Sequence, residues 1–533
     1  METIIFKLYF RRYLYAVVCV ILTVGRIIGA DRDSALNNLF ETPGRYKPRN
    51  KIDKFVISKL KSKGIKPAKL SSDEVFLRRV FLDTTGTLPT PQAITRFLSG
   101  KERNKRSKVI NSLLKREEFA DYQALRWGDN LRIKAEFPIN LWPNGVQAYH
   151  QWIHDTIQKN MPYDQFAREL LTTCGSNFRS PQVNFYRAIQ EQTPASIANA
   201  VALTFMGIRF EKLPKEQQAG LETFFSRVGF KKTEEWKEEI VYLKPDTTND
   251  LHSVFPDGTK VKIPQDADPR IIFTEWLVAP ENPYFARNIV NRIWEWLMGH
   301  GIINPVDDIS PDNPPSNSEL LAFLEKELVK SNYNLRHIYR LILNSRTYQQ
   351  SSIPRSNKPE AETLFAYYPV RQLDAEVLID AICTITGTRE DYVSVIPEPF
   401  TFVPNTSKSI NLSDGSISSQ FLELFGRPAR DTGFVAERNN KPTTAQRLHM
   451  LNSTHIQNKL SRSGKLRQLF RRSRGGLDNK IEEIYLNILS RFPTKEEHVT
   501  VRQYLNSQGI PPRKAVMDII WALINTKEFL FQH

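Results

Sequence analysis

The side chains best suited by type to do chemistry crowd onto one short stretch of the chain. Arg287, Asn291, Arg292 and Glu295 recur at near-helical spacing beside Trp294 and Trp296, and Asp307 and Asp308 follow shortly after. Guanidinium forks suit sulfate or carboxylate groups, and the indole faces can stack on a sugar ring. Glu295, Asp307 and Asp308 are candidate acid–base groups, although cleaving a glycosidic bond needs two carboxyls at a defined separation that spacing alone does not give. The same pattern has a structural reading: Arg292 pairs with Glu295 at i, i+3 and the tryptophans are core.

Three further constellations stand out. Arg126, Asp129 and Arg132 lie at i, i+3 and i+6 beside Trp127. With Asp83 they form either a polar binding pocket or ion pairs that knit helices together. His150 and His154 stand at i, i+4, the spacing of a zinc pair, but Gln151 occupies the place where a zincin has its glutamate, so the alternative is two polar-face histidines. The run Arg462, Lys465, Arg467, Arg471, Arg472 and Arg474, interleaved with Leu466, Leu469 and Phe470, suits a polyanion or a membrane surface, or else a solvated helix face. No GxSxG elbow, Walker loop, HExxH or GxGxxG occurs, so several common enzyme classes have no support.

These residues need helices to position them. The main cluster lies in Ala279–Gly301, where Asn282 is an N-cap, Pro283 suits the first turn and Gly299 supplies the stop. Phe285, Ile289, Ile293 and Leu297 make its apolar stripe. From Lys51 onward the pattern is a succession of short helices, with no convincing strand before residue 235. Ser71-Ser72-Asp73-Glu74 reads as a capping box. Ile240–Leu243, Ser253–Phe255 and Thr259–Ile263, with a turn at Pro256-Asp257-Gly258, predict a small β hairpin. Helices resume at Pro269 and continue to the end of the chain. The expected fold is mainly α, with two helical domains (51–235 and 267–533) joined by a β-containing connector (236–266).

The first 30 residues read as a secretory signal: Lys7, Arg11 and Arg12, then apolar Tyr13–Val24, then small residues at Gly29-Ala30. The apolar run is shorter than the roughly 20 residues that span a bilayer, so the mature chain is expected to carry no transmembrane span. Residues 31–50 read as a linker. Beyond the signal only Cys174 and Cys383 remain, so an exported protein of this kind rests on its core, not on a disulfide framework. The formal charge of +16 favours anionic partners such as acidic polysaccharide or acidic lipid. Export disfavours nucleic acid as a partner.

Several stretches resemble a known two-domain family. Phe81-Leu82-Asp83-Thr84-Thr85-Gly86-Thr87-Leu88-Pro89-Thr90 is similar to the DLTGLPPT segment of the planctomycete-type cytochrome-associated domain PSCyt2 (DUF1549), and Arg126-Trp127-Gly128-Asp129-Asn130-Leu131-Arg132 to its RWADLLR segment. The stretch from Asn282-Pro283 through Arg287, Asn291-Arg292, Trp294 and Gly299-His300-Gly301 resembles the companion domain PSD1 (DUF1553), as do Ser345-Arg346-Thr347-Tyr348 and Phe425-Gly426-Arg427-Pro428. Members commonly carry a CxxCH-like segment suggestive of haem or metal. The equivalent stretch here, Phe205–Pro214, has neither Cys nor His, so no c-type haem and no other cofactor is expected at that place. The resemblance implies an exported protein in a setting of sulfated-polysaccharide use. The expected role is binding of an anionic polysaccharide or of a partner enzyme. The alternatives are a hydrolase or lyase acting on acidic glycans and a non-catalytic component of a surface assembly.

Overall fold

The computed structural model describes residues 39–43, 46–245, 250–466, 468 and 476–533. The signal reading (1–30), half of the linker, and Arg467, Leu469, Phe470, Arg471, Arg472 and Arg474 of the basic run lie outside the described residues. Helices dominate, as the sequence predicts. In the first half they include α1 (Lys51–Ser62), α2 (Asp73–Thr85), α3 (Glu117–Asn130), α4 (Pro143–Gln158), α5 (Tyr163–Thr172), α6 (Pro194–Val201) and α7 (Lys215–Phe225), with further helices between. Local chemistry marks their ends. Ser72 caps α2 by accepting from the Val75 amide, and because Val75 holds the third helical position there is no reciprocal glutamate and no capping box. Gly86 ends α2 with φ +61°, and a Cβ there would meet the Tyr122 ring of α3 at 2.9 Å.

The β structure is richer than expected. Strands β1 (Gly175–Ser176), β2 (Val228–Lys232) and β3 (Glu239–Leu243) form one antiparallel sheet in the order β1-β3-β2, and β4 (Leu251–Val254) pairs with β5 (Lys260–Ile263) in a separate hairpin. Strands β1 and β2 thus fall before residue 235, where the sequence predicts none. Val228-Gly229-Phe230-Lys231-Lys232 lacks the β-branched alternation that announces a strand, and its pairing with β3 supplies what propensity does not.

The second half runs through α8 (Pro269–Val278), α9 (Phe285–Met298), α10 (Ser318–Lys330), α11 (Leu335–Leu343), α12 (Ala375–Thr386), α13 (Thr444–Asn452), α14 (Thr454–Ser461), α15 (Gly476–Leu489), α16 (Lys495–Leu505) and α17 (Pro512–Ile524). Helix α9 begins two residues later than its sequence signals suggest: Tyr284 is the N-cap, so Asn282 and Pro283 precede the first turn. There Asn282 Oδ1 accepts from the amides of Tyr284 and Phe285 at 2.9 and 3.0 Å, while Gly299 closes the helix at φ +81° as expected. Among the described residues no helix is long and apolar enough to cross a membrane.

Hydrophobic packing divides the chain at a different place from the sequence pattern. One cluster draws mainly on residues 52–368, with Ile396 and Leu486, and joins α1–α7 to α8–α11; the other draws mainly on 373–529, with Leu82, Tyr122 and Leu125 reaching into it. Helix α9 lies inside the first cluster: Trp296 meets Trp127 edge-on at 6.0 Å and Phe285 stacks on Tyr163 at 4.5 Å. The stretch 51–235 therefore shares its core with α9–α11. Expressed alone, residues 46–235 should show no cooperative thermal transition, because the apolar faces covered by Ile289, Ile293 and Trp296 would be left in water. A sharp calorimetric transition for that fragment would contradict this.

Candidate functional site

Helix α9 turns its hydrogen-bonding row inward. Asn288, Asn291, Arg292 and Trp294 are all buried. Asn288, Asn291 and Arg292 reach backbone groups, whereas the Trp294 indole N–H has no hydrogen-bond partner. The last turn of α6 widens into a π turn, Ala202–Met206. Arg292 Nη2 donates to the Leu203 carbonyl at 3.0 Å and Asn288 Nδ2 to the Thr204 carbonyl at 2.8 Å, while Arg292 Nε donates to Asn288 Oδ1. Asn291 exchanges two hydrogen bonds with the Ile303 backbone. Arg292 also forms an ion pair with Asp307 at 2.6 Å that lacks hydrogen-bond alignment. Arg287 alone of the basic row lies at the surface, where its Nε donates to Glu325 at 2.8 Å.

The three candidate acids face different partners. Asp307 pairs with Arg292 and accepts from the Val435 amide; Asp308 is bound by Lys212 at 2.7 Å. Glu295 pairs with neither, and its Oε2 is buried without a hydrogen bond. Burial holds that carboxyl above its ordinary range even though Arg126, Arg371 and Arg292 pull the other way. Near this region lies a cavity of about 40 Å³ lined by Phe119, Gln123, Trp127, Tyr163 and Tyr339, room for a few waters and no larger ligand.

Asp83, Arg126 and Asp129 lie in a buried ionic network that joins the two hydrophobic clusters. Asp83 accepts from Tyr348 and Tyr368 at 2.6 and 3.2 Å and pairs with Arg371, just before α12. Arg126 reaches Tyr122 and Asp374. Asp129 is shared between Arg430 at 2.9 Å and Arg438 at 2.7 Å, and Arg438 reaches across to Glu376 at 2.8 Å. Arg430 is fully buried between two glycines: a Cβ on Gly128 would lie 3.0 Å from its Cζ. Arg132 stands apart, with Nε on the Ala188 carbonyl and the guanidinium over Phe185. Among the described residues no group of three or more His, Cys, Asp or Glu is placed to hold a metal ion. Burial, with Arg430 and His154 nearby, pushes the His150 imidazole down to about 3. His154 turns instead to Asp121, 3.3 Å away.

The surface offers an arrangement that the sequence reading did not find. Trp142, Trp236 and Phe400 come from three distant segments and form an aromatic cluster: Trp142 lies 6.2 Å from Trp236 (81°) and 5.4 Å from Phe400 (59°). Lys237 Nζ stands 4.7 Å from the Trp142 ring and 5.5 Å from the Trp236 ring. Trp236 is 67% exposed, at the tip of the β2–β3 hairpin. The support beneath is rigid. Trp142 and Leu141 donate back to the Ala135 and Lys134 carbonyls, and Asp414 and Ser416 bind the Ala135 amide. The Asn177 amide group holds the Lys237 carbonyl. Trp142 has φ +68° and ψ 149°, a region otherwise reserved for glycine, which costs about 1–3 kcal/mol. Strain of this kind clusters where a side chain must be presented in a particular direction. The only sequence signal was an indole beside turn-forming Asn140 and Pro143.

Two predictions follow from the network. Arg292→Met leaves Asp307 buried without its cation and should cost about 3–5 kcal/mol in denaturant unfolding; Arg292→Met with Asp307→Leu should recover part of that loss. Burial opposes ionisation of Asp129 and Asp374, but Arg438 and Arg430 around the first and Arg438 and Arg126 around the second outweigh it and hold both carboxyls low. Their stabilisation is complete above the unfolded carboxyl pKa of about 3.9 and is lost as pH falls through the lower folded values. Stability should therefore drop steeply below about pH 4, and Asp374→Asn should flatten that drop. An acid-unfolding curve unchanged in the variant would count against this.

Residues 51–218 match the family model PSCyt2, described as a protein of unknown function (DUF1549), and residues 269–505 match PSD1, described as a protein of unknown function (DUF1553). No curated protein and no solved structure matches the chain. The segments that build the buried network, from Asp83 through Asp129 to Arg292 and Arg438, fall within those two matches. The chain belongs to the family that joins a PSCyt2 domain to a PSD1 domain.

Proposed function

We propose that the protein is an exported binder of anionic, sulfated polysaccharide, and that the Trp142–Trp236–Phe400 cluster with Lys237 is its contact surface. The observation that carries this reading is the exposed aromatic cluster on a rigid, strained support. A solvent-facing indole is costly unless it is used, since apolar surface left in water forgoes about 25 cal/mol per Å². Indole faces carry the negative pole of the ring quadrupole and accept the C–H face of a pyranose. Lys237 adds a cation for a sulfate or carboxylate substituent, and the charge of +16 draws polyanions toward the surface. The N-terminal signal reading supports an activity outside the cytoplasm.

The polar row of α9 supports the same reading less well than it supports structure, because Asn291, Arg292 and Trp294 have no face in solvent. The glycan-cleaving alternative draws little from Glu295, Asp307 and Asp308, each of which is turned to a different surrounding. A protein partner is the second reading. It is favoured by Val395 and Phe402, which are 78% and 67% exposed in the segment that also supplies Phe400.

The test is a titration with sulfated and desulfated polysaccharides at low and high salt. Trp236→Ala should lower affinity about tenfold or more, equivalent to about 1.4 kcal/mol, without shifting the melting temperature. Lys237→Ala should reduce the preference for the sulfated form. Binding that vanishes with salt and is indifferent to Trp236 would mean that only net charge is read. No binding to any glycan would transfer the surface to a protein partner.

A further inference from the structure

A second constellation, separate from the aromatic cluster, joins three titratable side chains in a line. His449 lies near the end of α13 and His455 in the first turn of α14. Ser453 fixes the junction: its amide donates to the His449 carbonyl and its hydroxyl caps α14 at the Ile456 amide. His449 Nε2 lies 3.2 Å from His455 Nδ1, and His455 Nε2 lies 2.9 Å from Glu390 Oε2. The Glu390 carboxylate also takes Lys459 Nζ at 2.8 Å.

Packing fixes both rings. Phe421 and Phe425 stack at 4.1 Å, and Phe421 presents itself to His449 at 5.7 Å (70°) and to His455 at 5.9 Å. Phe425 meets the His449 ring at 6.2 Å and 78°. Both histidines are half-buried, so solvent reaches the pair. Glu390, paired with Lys459, is an acceptor, so His455 carries its proton on Nε2 and turns the Nδ1 lone pair toward His449.

A carboxylate on the far nitrogen of an imidazole is the support that metal-ligating histidines ordinarily have. Two imidazole nitrogens bound to one ion at about 2.0–2.1 Å and near-tetrahedral angles stand roughly 3.3 Å apart, close to the separation found here. We propose that His449 Nε2 and His455 Nδ1 form a two-histidine clamp for a divalent transition metal of the copper, nickel or zinc type, oriented by Glu390. A hydrogen bond holds the pair in the metal-free chain, and the ion takes the place of the His449 Nε2 proton, which passes through solvent to Nδ1 of the same ring. With only two protein ligands the remaining coordination positions are open to water or to an oxygen donor from an anionic ligand. Imidazole donors favour these later divalent ions over magnesium or calcium.

Calorimetric titration of the purified protein with Zn²⁺ and with Ni²⁺, in a buffer that does not chelate, tests the assignment. One saturable equivalent is expected. It should be lost in His449→Ala and in His455→Ala, each checked for an unchanged circular dichroism spectrum and melting temperature. Glu390→Gln should retain the equivalent with affinity lowered about 10–100-fold. His150→Ala should bind as the parent does, which separates this clamp from the other histidine pair. The absence of a saturable equivalent overturns the proposal, as does one that survives removal of either His449 or His455. An affinity unchanged in Glu390→Gln overturns the role given to that carboxylate.

Discussion

A buried charge must be met by an opposite charge or by several hydrogen bonds, and much of this molecule is arranged to satisfy that demand. Arg438 is the central case. It lies between Asp129 of α3 and Glu376 of α12, so one guanidinium joins the two hydrophobic clusters. Arg430 depends on the same aspartate and on bare glycine backbone at Gly128 and Gly415. Such pairs add little net stability over a well-packed apolar contact. Their effect is on register: a slipped helix would strand a charge in the interior, and the intended packing is the one that does not.

Helix α9 solves a backbone version of the same problem. The π turn after α6 breaks the regular ladder of hydrogen bonds, and Asn288 and Arg292 bring side-chain donors to the Leu203 and Thr204 carbonyls. Gly207 follows that turn at φ +66°, where a Cβ would collide with Asn288 Oδ1 at 2.6 Å. This explains why so polar a row belongs on so buried a helix. Side chains that resemble a ligand-binding row from their order are here the ligands of the protein's own main chain.

The proposed glycan surface and the proposed metal clamp share a construction principle with the network. In each, residues from separate segments are held by short-range backbone contacts: the loop closed at Ala135 and Lys134 presents Trp142, and the Ser453 junction sets the angle between His449 and His455. Neither surface lies at the 40 Å³ cavity beside Trp127. Function, on this reading, has been moved to the exterior of a frame whose polar interior is already occupied.

Sequence by itself determined the helical class, the family, and stops such as Gly299 of α9, because a glycine that ends a helix acts within a few residues and leaves a local pattern. It also singled out Asp83, Arg126, Asp129 and Arg292 as more than surface charge. Tertiary structure alone decided what those residues do, since Asp129 finds Arg430 and Arg438 some three hundred residues away and Asp83 finds Tyr348 and Arg371. It also decided where the packing divides and that β2 is a strand, because pairing with β3 overrides a weak propensity. Trp142, Trp236 and Phe400 show the limit most plainly. Each is an ordinary aromatic in its own segment, and burial and proximity are properties of the folded chain that no local spacing encodes.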